Sequence, residues 1–153
     1  MPVFEESVTI DALQERVWDF LMDPERLAGC IPGCQEVQAI DDTTFKVRIK
    51  VKVGPFSTTQ TATMRLTELD PPHHLVAEGQ GDDPRMASKV VMKTRLDLSP
   101  LDDGKTRLDY TIDVKLLGRL GMLGEAVMRA KAREMSAQFA KNLKLAIEQG
   151  QAV

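Results

Sequence analysis

Apolar and polar residues alternate along most of the first 118 positions, which is the pattern of β-strands that bury one face. The alternation is clearest over residues 45–53, where Phe, Val and Ile are separated by Lys and Arg. Turn sequences such as Gly-Pro at 54–55 and Asp-Asp-Gly at 102–104 separate the alternating runs, so the pattern predicts a sheet of antiparallel hairpins. The predicted strands span residues 3–10, 45–53, 56–69, 74–81, 86–98 and 108–116.

Two short helices are predicted between the first strand and the rest of the sheet. Asp11 and Gln14 have the spacing of a capping box, which predicts a helix that starts after Asp11 and continues to Met22. The Asp-Pro pair at positions 23 and 24 ends this helix, because proline disfavours the helical conformation at the residue before it. Pro24 then opens a second helix, predicted over residues 25–28.

After Gly118 the apolar period changes to 3.6 residues, which is typical of an amphipathic helix. The pattern predicts one helix of about 30 residues, or roughly 45 Å. Such a helix needs an equally long apolar surface, and the one-sided strands supply it. The element order therefore predicts a single α+β domain over residues 1–153, with the helix packed on the sheet. The apolar stripe of the helix comprises Leu120, Leu123, Val127, Met128, Met135, Phe139, Leu143 and Ile147.

Composition and charge exclude several classes of protein. The chain has a net charge of -3 and 5% aromatic residues, which is too few positive charges and rings for a nucleic-acid partner. It has no basic, apolar leader and no run of about 20 apolar residues, which predicts a cytoplasmic protein. Residues 119–148 nevertheless carry six basic and three acidic side chains, so this helix presents either a contact surface or a solvated face.

The polar residues form no recognisable catalytic or metal-binding motif. Cys30 and Cys34 lack the Cys-x-x-Cys spacing of redox pairs and have no further ligands nearby, which favours a structural loop. His73 and His74 are adjacent on a strand and point to opposite faces. Tyr110 is the clear titratable side chain on a predicted inner face. These observations favour a binding protein over an enzyme.

The positions of the methionines suggest a cavity. Met64, Met86 and Met92 fall on predicted inner faces of strands, and Met128 and Met135 fall on the apolar stripe of the long helix. Unbranched, polarizable side chains adapt to ligands of irregular shape, although they also fill gaps in ordinary cores. Because methionines occur on both walls, we expect a ligand cavity between the sheet and the helix.

Three glycines interrupt the predicted start of the long helix. Gly118, Gly121 and Gly124 each weaken a helix by up to about 1 kcal/mol relative to Ala, so replacing the last two with Ala is expected to stabilise it. The apolar residues between them suggest three roles for residues 117–124. We expect this segment to form a mobile gate to the cavity. The alternatives are a surface that touches lipid and a site of close backbone packing.

Four segments of the chain resemble the G-subunit family of carbon monoxide dehydrogenase. They are Trp-Asp-Phe-Leu at 18–21, the Asp-Pro to Ile-Pro-Gly-Cys run at 23–34, Val-Gly-Pro-Phe at 53–56, and Leu-Gly-Arg-Leu-Gly at 117–121. The resemblance covers nearly the whole chain. It implies the START-like helix-grip fold, in which a curved antiparallel sheet of about seven strands surrounds a long C-terminal helix.

The resemblance also implies an accessory protein of molybdenum-containing hydroxylases, with a hydrophobic cavity for a lipid- or quinone-like ligand. No catalytic or metal cofactor is expected. Some members carry a C-terminal extension thought to reach the membrane, whereas this sequence ends at Val153, so we expect only transient contact with the inner membrane face. The alternatives are a cyclase or hydrolase of the same fold acting on an apolar substrate, and a cavity-free interaction or maturation factor. The candidate ligand-binding residues are Trp18, Met64, Leu66, Met86, Met92, Leu96, Tyr110, Ile112, Leu120, Leu123, Val127, Met128, Met135 and Phe139.

Overall fold

The computed structural model describes residues 3–151 and confirms the predicted order of strands and helices. Its elements are β1 Val3–Ile10, α1 Gln14–Leu21, α2 Pro24–Ala28, β2 Cys34–Ala39, β3 Thr44–Val53, β4 Phe56–Asp70, β5 His74–Asp83, β6 Ser88–Pro100, β7 Thr106–Gly118 and α3 Glu125–Gln151. All seven strands form one antiparallel sheet in the order β1-β7-β6-β5-β4-β3-β2. The first strand therefore pairs with the last, and the other neighbours in the sheet are joined by hairpins.

The hydrophobic core lies at one end of this sheet. Ile10, Leu108 and Leu143 are completely buried there, together with Val17 of α1. The C-terminal half of α3 and the helix α1 cover the inner face of β1, β7 and β6 at this end. The predicted packing of the long helix on the sheet is thus confirmed for its second half.

The start of α1 differs from the prediction. Asp11 is not the N-cap, because α1 begins only at Gln14 and its N-cap residue, Leu13, makes no side-chain capping bond. The backbone N–H of Asp11 donates to Glu148 Oε2 of α3 instead, at 2.8 Å. Gln14 Nε2 donates to the Pro72 carbonyl oxygen at 2.8 Å. Tertiary contacts have therefore replaced the local capping box.

The long helix is shorter than predicted because its first turns are a separate element. Residues Arg119–Leu123 form a 3-10 helix, and α3 starts at Glu125 and has 27 residues. Gly118 and Gly124 flank the 3-10 helix with φ angles of +73° and +90°. These left-handed conformations interrupt the helical backbone, so Leu120 and Leu123 do not belong to the stripe of α3.

Two strands also differ from the sequence pattern. The sequence pattern does not predict strand β2, because most of its side chains are exposed and its apolar residues do not alternate with polar ones. The predicted strand 86–98 starts too early, since β6 begins at Ser88. Met86 lies in the turn between β5 and β6, where Ala87 adopts a φ of +48°. The strand β5 continues to Asp83, two residues beyond its predicted end.

The two histidines have separate structural roles at the β4–β5 turn. His73 Nδ1 lies 3.0 Å from Gln14 Nε2 and so helps to hold α1. His74 Nε2 lies 3.0 Å from Glu68 Oε2, and its Nδ1 lies 2.7 Å from Asp97 Oδ1. Hydrogen bonds to Glu68 and Asp97 raise the pKa of His74, because both ring nitrogens donate to carboxylates in the protonated form.

We expect His74 to make folding stability depend on pH. Its pKa is higher in the folded protein than in the unfolded chain, so the stabilisation is present below about pH 6.5 and is lost as the pH rises through the folded pKa. Because the Glu68 side chain is 64% exposed and that of Asp97 is 41% exposed, the effect is expected to be at most about 1 kcal/mol. Thermal unfolding of the wild type and His74→Gln from pH 5.5 to 9 measures it. Equal pH profiles would show that the pair of carboxylates does not stabilise the protonated ring.

Candidate functional site

Burial along α3 is strongly asymmetric. Residues 125–135 include no buried side chain, whereas Ser136, Ala140, Leu143 and Ile147 are all buried. The second half of the helix therefore packs on the core, while the first half has no fully buried side chain. Met128 and Met135, which lie on the sheet-facing side of the first half, remain half-buried.

The sheet opposite this part of α3 is also incompletely covered. Met64, Met92 and Ile112 are inner-face residues, and each of them is half-buried. Met64 and Met92 are register partners of Gly79, one on each side of β5. A Cβ atom on Gly79 would collide with Met64 Sδ and lie 3.3 Å from Met92 Cγ, so the two methionine side chains meet above this glycine. Half-buried apolar side chains therefore occur both on this part of the sheet and on α3, and we call the region between them the groove.

Both ends of the groove are defined by contacts between the sheet and the helical segment. At the core end, Tyr110 Oη donates to the Ser136 carbonyl oxygen at 2.7 Å, and its ring meets Phe139 edge to face at 5.9 Å. At the other end, the β3–β4 turn reaches the start of α3. A Cβ atom on Gly54 would lie 3.9 Å from the side chains of Leu123 and Val127. The groove therefore lies between these two contacts, over the inner face of the sheet.

The structure divides the predicted ligand-binding residues into three groups. Trp18, Leu96 and Tyr110 are buried in the packed core, and Leu120 is also buried. Val127 is exposed and Met86 lies in the β5–β6 turn, away from the predicted strand face. The remaining residues are half-buried. Leu66, Ile112 and Phe139 pack against the core, and the others, Met64, Met92, Leu123, Met128 and Met135, lie along the groove.

Sequence reasoning missed a buried polar cluster at the β5–β6 end of the inner face. Thr58 and Gln60 of β4, Asp83 of β5 and Ser88 of β6 are each at most 7% exposed. The alternation of β4 does place Thr58 and Gln60 on the same face as Ala62 and Met64. The sequence pattern ends β5 at residue 81, so it places no carboxylate on the inner face and does not reveal the cluster.

Asp83 is a structural carboxylate in this cluster. Burial disfavours its ionised form, but hydrogen bonds from Thr58, Thr59, Arg85 and Met86 outweigh burial and lower the pKa of Asp83 below its ordinary value. The carboxylate thereby joins the β5–β6 turn to β4. A low pKa and a full set of donors make it a poor general base.

The two cysteines lie in, and directly after, the loop between α2 and β2. Both Cys30 and Cys34 are free thiols. Cys30 is buried, which raises the pKa of its thiol, and its carbonyl oxygen accepts a hydrogen bond from Asn142 Nδ2 of α3 at 3.0 Å. Within residues 3–151, no group of three or more His, Cys, Asp or Glu side chains is placed to hold a metal ion.

A further concavity, of about 410 Å³, lies on the outer face of the sheet. Exposed charged side chains line it, including Arg65, Lys93 and Lys115. Such a lining is unsuited to an apolar molecule. The half-buried apolar side chains on the sheet and on α3 make the groove the candidate ligand site.

The comparisons with known proteins agree with this architecture. The sequence model of CoxG, the G-subunit of carbon monoxide dehydrogenase, matches residues 7–148. The chain belongs to the CoxG family. Among curated protein sequences, none is significantly similar to this family member.

Solved structures show that this CoxG family member has the START-like helix-grip fold. A conserved protein from Geobacillus kaustophilus is 24% identical with a TM-score of 0.87, over 97% of this chain and 96% of the other. A START superfamily protein from Mycobacterium smegmatis is 13% identical with a TM-score of 0.72, over 96% and 97%. An aromatase/cyclase from a Streptomyces species is 21% identical with a TM-score of 0.71, over 97% and 94%. The predicted family and fold are therefore confirmed.

Proposed function

We propose that this CoxG family member is a non-catalytic carrier that holds a lipid- or quinone-like molecule in the groove between the sheet and α3. The observation that carries the proposal is the incomplete burial of apolar side chains on both walls, including Met64, Met92, Met128 and Met135. A bound apolar ligand would remove this surface from water, which contributes about 25 cal/mol for each Å² covered. Four flexible thioether side chains suit a ligand of irregular shape.

The polar groups near the groove support binding rather than catalysis. Burial raises the pKa of Tyr110, and its hydroxyl donates to the Ser136 carbonyl oxygen. Asp83 is held ionised by its donors, so neither group is poised to transfer a proton to or from a substrate. A cyclase or hydrolase would need such a group within reach of its substrate.

Family membership supports a role beside a molybdenum hydroxylase, and we propose that the carrier serves such an enzyme in the cytoplasm. The 3-10 helix before α3 and the first turn of α3 support transient contact with a membrane. Met122 is 84% exposed and Val127 is 42% exposed, and the basic residues Arg119 and Arg129 lie close to them in sequence. Without a lipid anchor such contact is weak and reversible. None of the helices among residues 3–151 has the length and apolar character needed to cross a bilayer.

Native mass spectrometry of the purified protein tests ligand binding. We expect an added mass that matches a lipid or a quinone, loss of this mass after organic extraction, and its return as a defined adduct when ubiquinone-2 is supplied. The absence of any adduct before extraction and after addition of ubiquinone-2 would contradict the proposed function.

Two neighbouring substitutions on β6 provide a matched control for this experiment. Met92→Asp places a charge on the groove wall, whereas Val91→Asp places it on the outer face. We expect the first variant to lose at least about tenfold in affinity for ubiquinone-2 and the second to bind like the wild type. Circular dichroism checks that both variants are folded. Equal affinity of the two variants would place the ligand outside the groove.

A further inference from the structure

The buried polar cluster on the inner face is held together by short hydrogen bonds. Thr58 Oγ1 lies 2.8 Å from Asp83 Oδ2. Gln60 Nε2 lies 2.9 Å from Thr58 Oγ1 and also 2.9 Å from Ser88 Oγ. Three adjacent strands, β4, β5 and β6, are thereby connected through side chains at the end of the groove.

The chemistry of the cluster fixes the orientation of the Gln60 amide. An ionised carboxylate can only accept hydrogen bonds, so the Thr58 hydroxyl donates its single hydrogen to Asp83. Thr58 Oγ1 must then act as acceptor toward Gln60, which identifies the amide nitrogen as the atom beside it. The second hydrogen of the amide nitrogen is directed to Ser88 Oγ. The amide oxygen, Oε1, is therefore the end of Gln60 that points away from Thr58 and Ser88.

Gln60 Oε1 is a buried acceptor with no hydrogen-bond partner among the described residues. The Gln60 side chain as a whole is only 7% exposed, and leaving a buried acceptor unpaired costs free energy. Oε1 lies 3.4 Å from the position that a Cβ atom on Gly81 would occupy. Gly81 pairs with Ala62 and Val90 in the sheet, so the acceptor faces the part of the groove floor with the smallest side chains.

We propose that Gln60 Oε1 accepts a hydrogen bond from a hydroxyl group of the ligand, so that the groove selects apolar molecules that carry a donor. This inference rests on the proposed function of the groove as a binding site for an apolar ligand. A ligand with a carbonyl or ether oxygen at this point would bring two acceptors together and leave Oε1 unpaired. Of the two redox forms of a quinone-like ligand, the dihydroxy form is therefore favoured over the quinone.

Oε1 has almost no exposed surface, so a donor reaches it only when neighbouring side chains move. The inner-face row next to Gly81 contains Met64 and Met92, which meet above Gly79. Methionine has three rotatable bonds and changes its conformation at low cost. The sheet is closely packed beside the acceptor, since a Cβ atom on Gly81 would lie 3.1 Å from Ala62 Cβ. A flat, ring-shaped ligand therefore stacks on Ala62 and Gly81 only once these side chains have moved.

The aromatic pair 1-naphthol and 1-methoxynaphthalene tests the inference, since the two probes share a ring system and differ in the donor. NMR titration of the wild type is expected to show about tenfold tighter binding of 1-naphthol. The side-chain amide signals of Gln60 are expected to shift with 1-naphthol more than with the ether. Equal affinities with unshifted Gln60 signals would overturn the inference and leave the proposed function intact. If neither probe nor ubiquinone-2 binds, the proposed function fails and the inference fails with it.

Two variants separate the acceptor from the rest of the cluster. Gln60→Met has a similar length and removes the acceptor, so the preference for 1-naphthol is expected to disappear while 1-methoxynaphthalene binds at least as well as before. Ser88→Ala removes a hydrogen bond of the same cluster but keeps Oε1, and the preference is expected to remain. A preference that survives Gln60→Met in the folded protein would overturn the inference. If this variant does not fold, the Gln60 signals of the wild type decide the outcome.

Discussion

Replacing Leu143 with Ala is expected to lower the free energy of unfolding by about 2–5 kcal/mol. Leu143 is completely buried in the second half of α3, within the core formed with α1 and the strands β1, β6 and β7. The substitution removes apolar contacts and leaves a cavity that the rigid surroundings fill only in part. Urea unfolding followed by circular dichroism measures the change.

The same helix provides a control in its first half. Met128→Ala removes a side chain of comparable size that is only half-buried and faces the groove. Its cost to stability is expected to be about 1 kcal/mol or less, because Ala is an excellent helix former and little packed surface is lost. The affinity for ubiquinone-2, by contrast, is expected to fall in Met128→Ala. Equal destabilisation by the two substitutions would show that α3 is packed on the sheet along its whole length and that no groove exists.

Much of the fold follows from the sequence because its elements have strong periodic patterns. The alternation from Phe45 to Val53 and the hairpin turns fix the central strands, and the 3.6-residue period fixes most of α3. The strand β2 has mostly exposed side chains, so burial provides no pattern from which to predict it. The capping box at Asp11 failed for another reason. Contacts with Glu148 and Pro72, distant in sequence, determine where α1 begins.

The groove could be predicted only in outline. Inner-face positions such as Met64 and Met92 follow from strand alternation, but the sequence does not show which part of a long helix has no fully buried side chain. Packed residues such as Trp18 and Tyr110 have the same apolar pattern as the residues of the groove. The sequence does not predict the Gln60 cluster. Two of its members, Asp83 and Ser88, lie at the end of β5 and the start of β6, and the sequence pattern does not define these strand ends.

The glycines before α3 allow the interrupted helix to be tested directly. Gly124 has φ and ψ angles of 90° and 147°, a conformation that is essentially restricted to glycine, and no atom lies within 4 Å of a Cβ placed on it. Gly124→Ala is therefore expected to destabilise the protein by about 1–3 kcal/mol through backbone strain alone. The sequence predicts a continuous helix through this position, which is wrong because Gly124 separates the 3-10 helix from α3.

Gly118→Ala is expected to have the larger effect of the two, about 3 kcal/mol or more. Gly118 has a φ of +73°, so it bears a similar strain, and a Cβ atom there would also overlap the carbonyl oxygen of Ala87 and lie 3.1 Å from Ser88 Cα. Backbone atoms cannot move aside as a flexible side chain can, and so the β6–β7 pairing and the 3-10 helix would have to shift together. Urea unfolding of both variants measures the difference. A stabilising Gly124→Ala, or a neutral Gly118→Ala, would show that residues 119–124 continue α3 as a regular helix in solution.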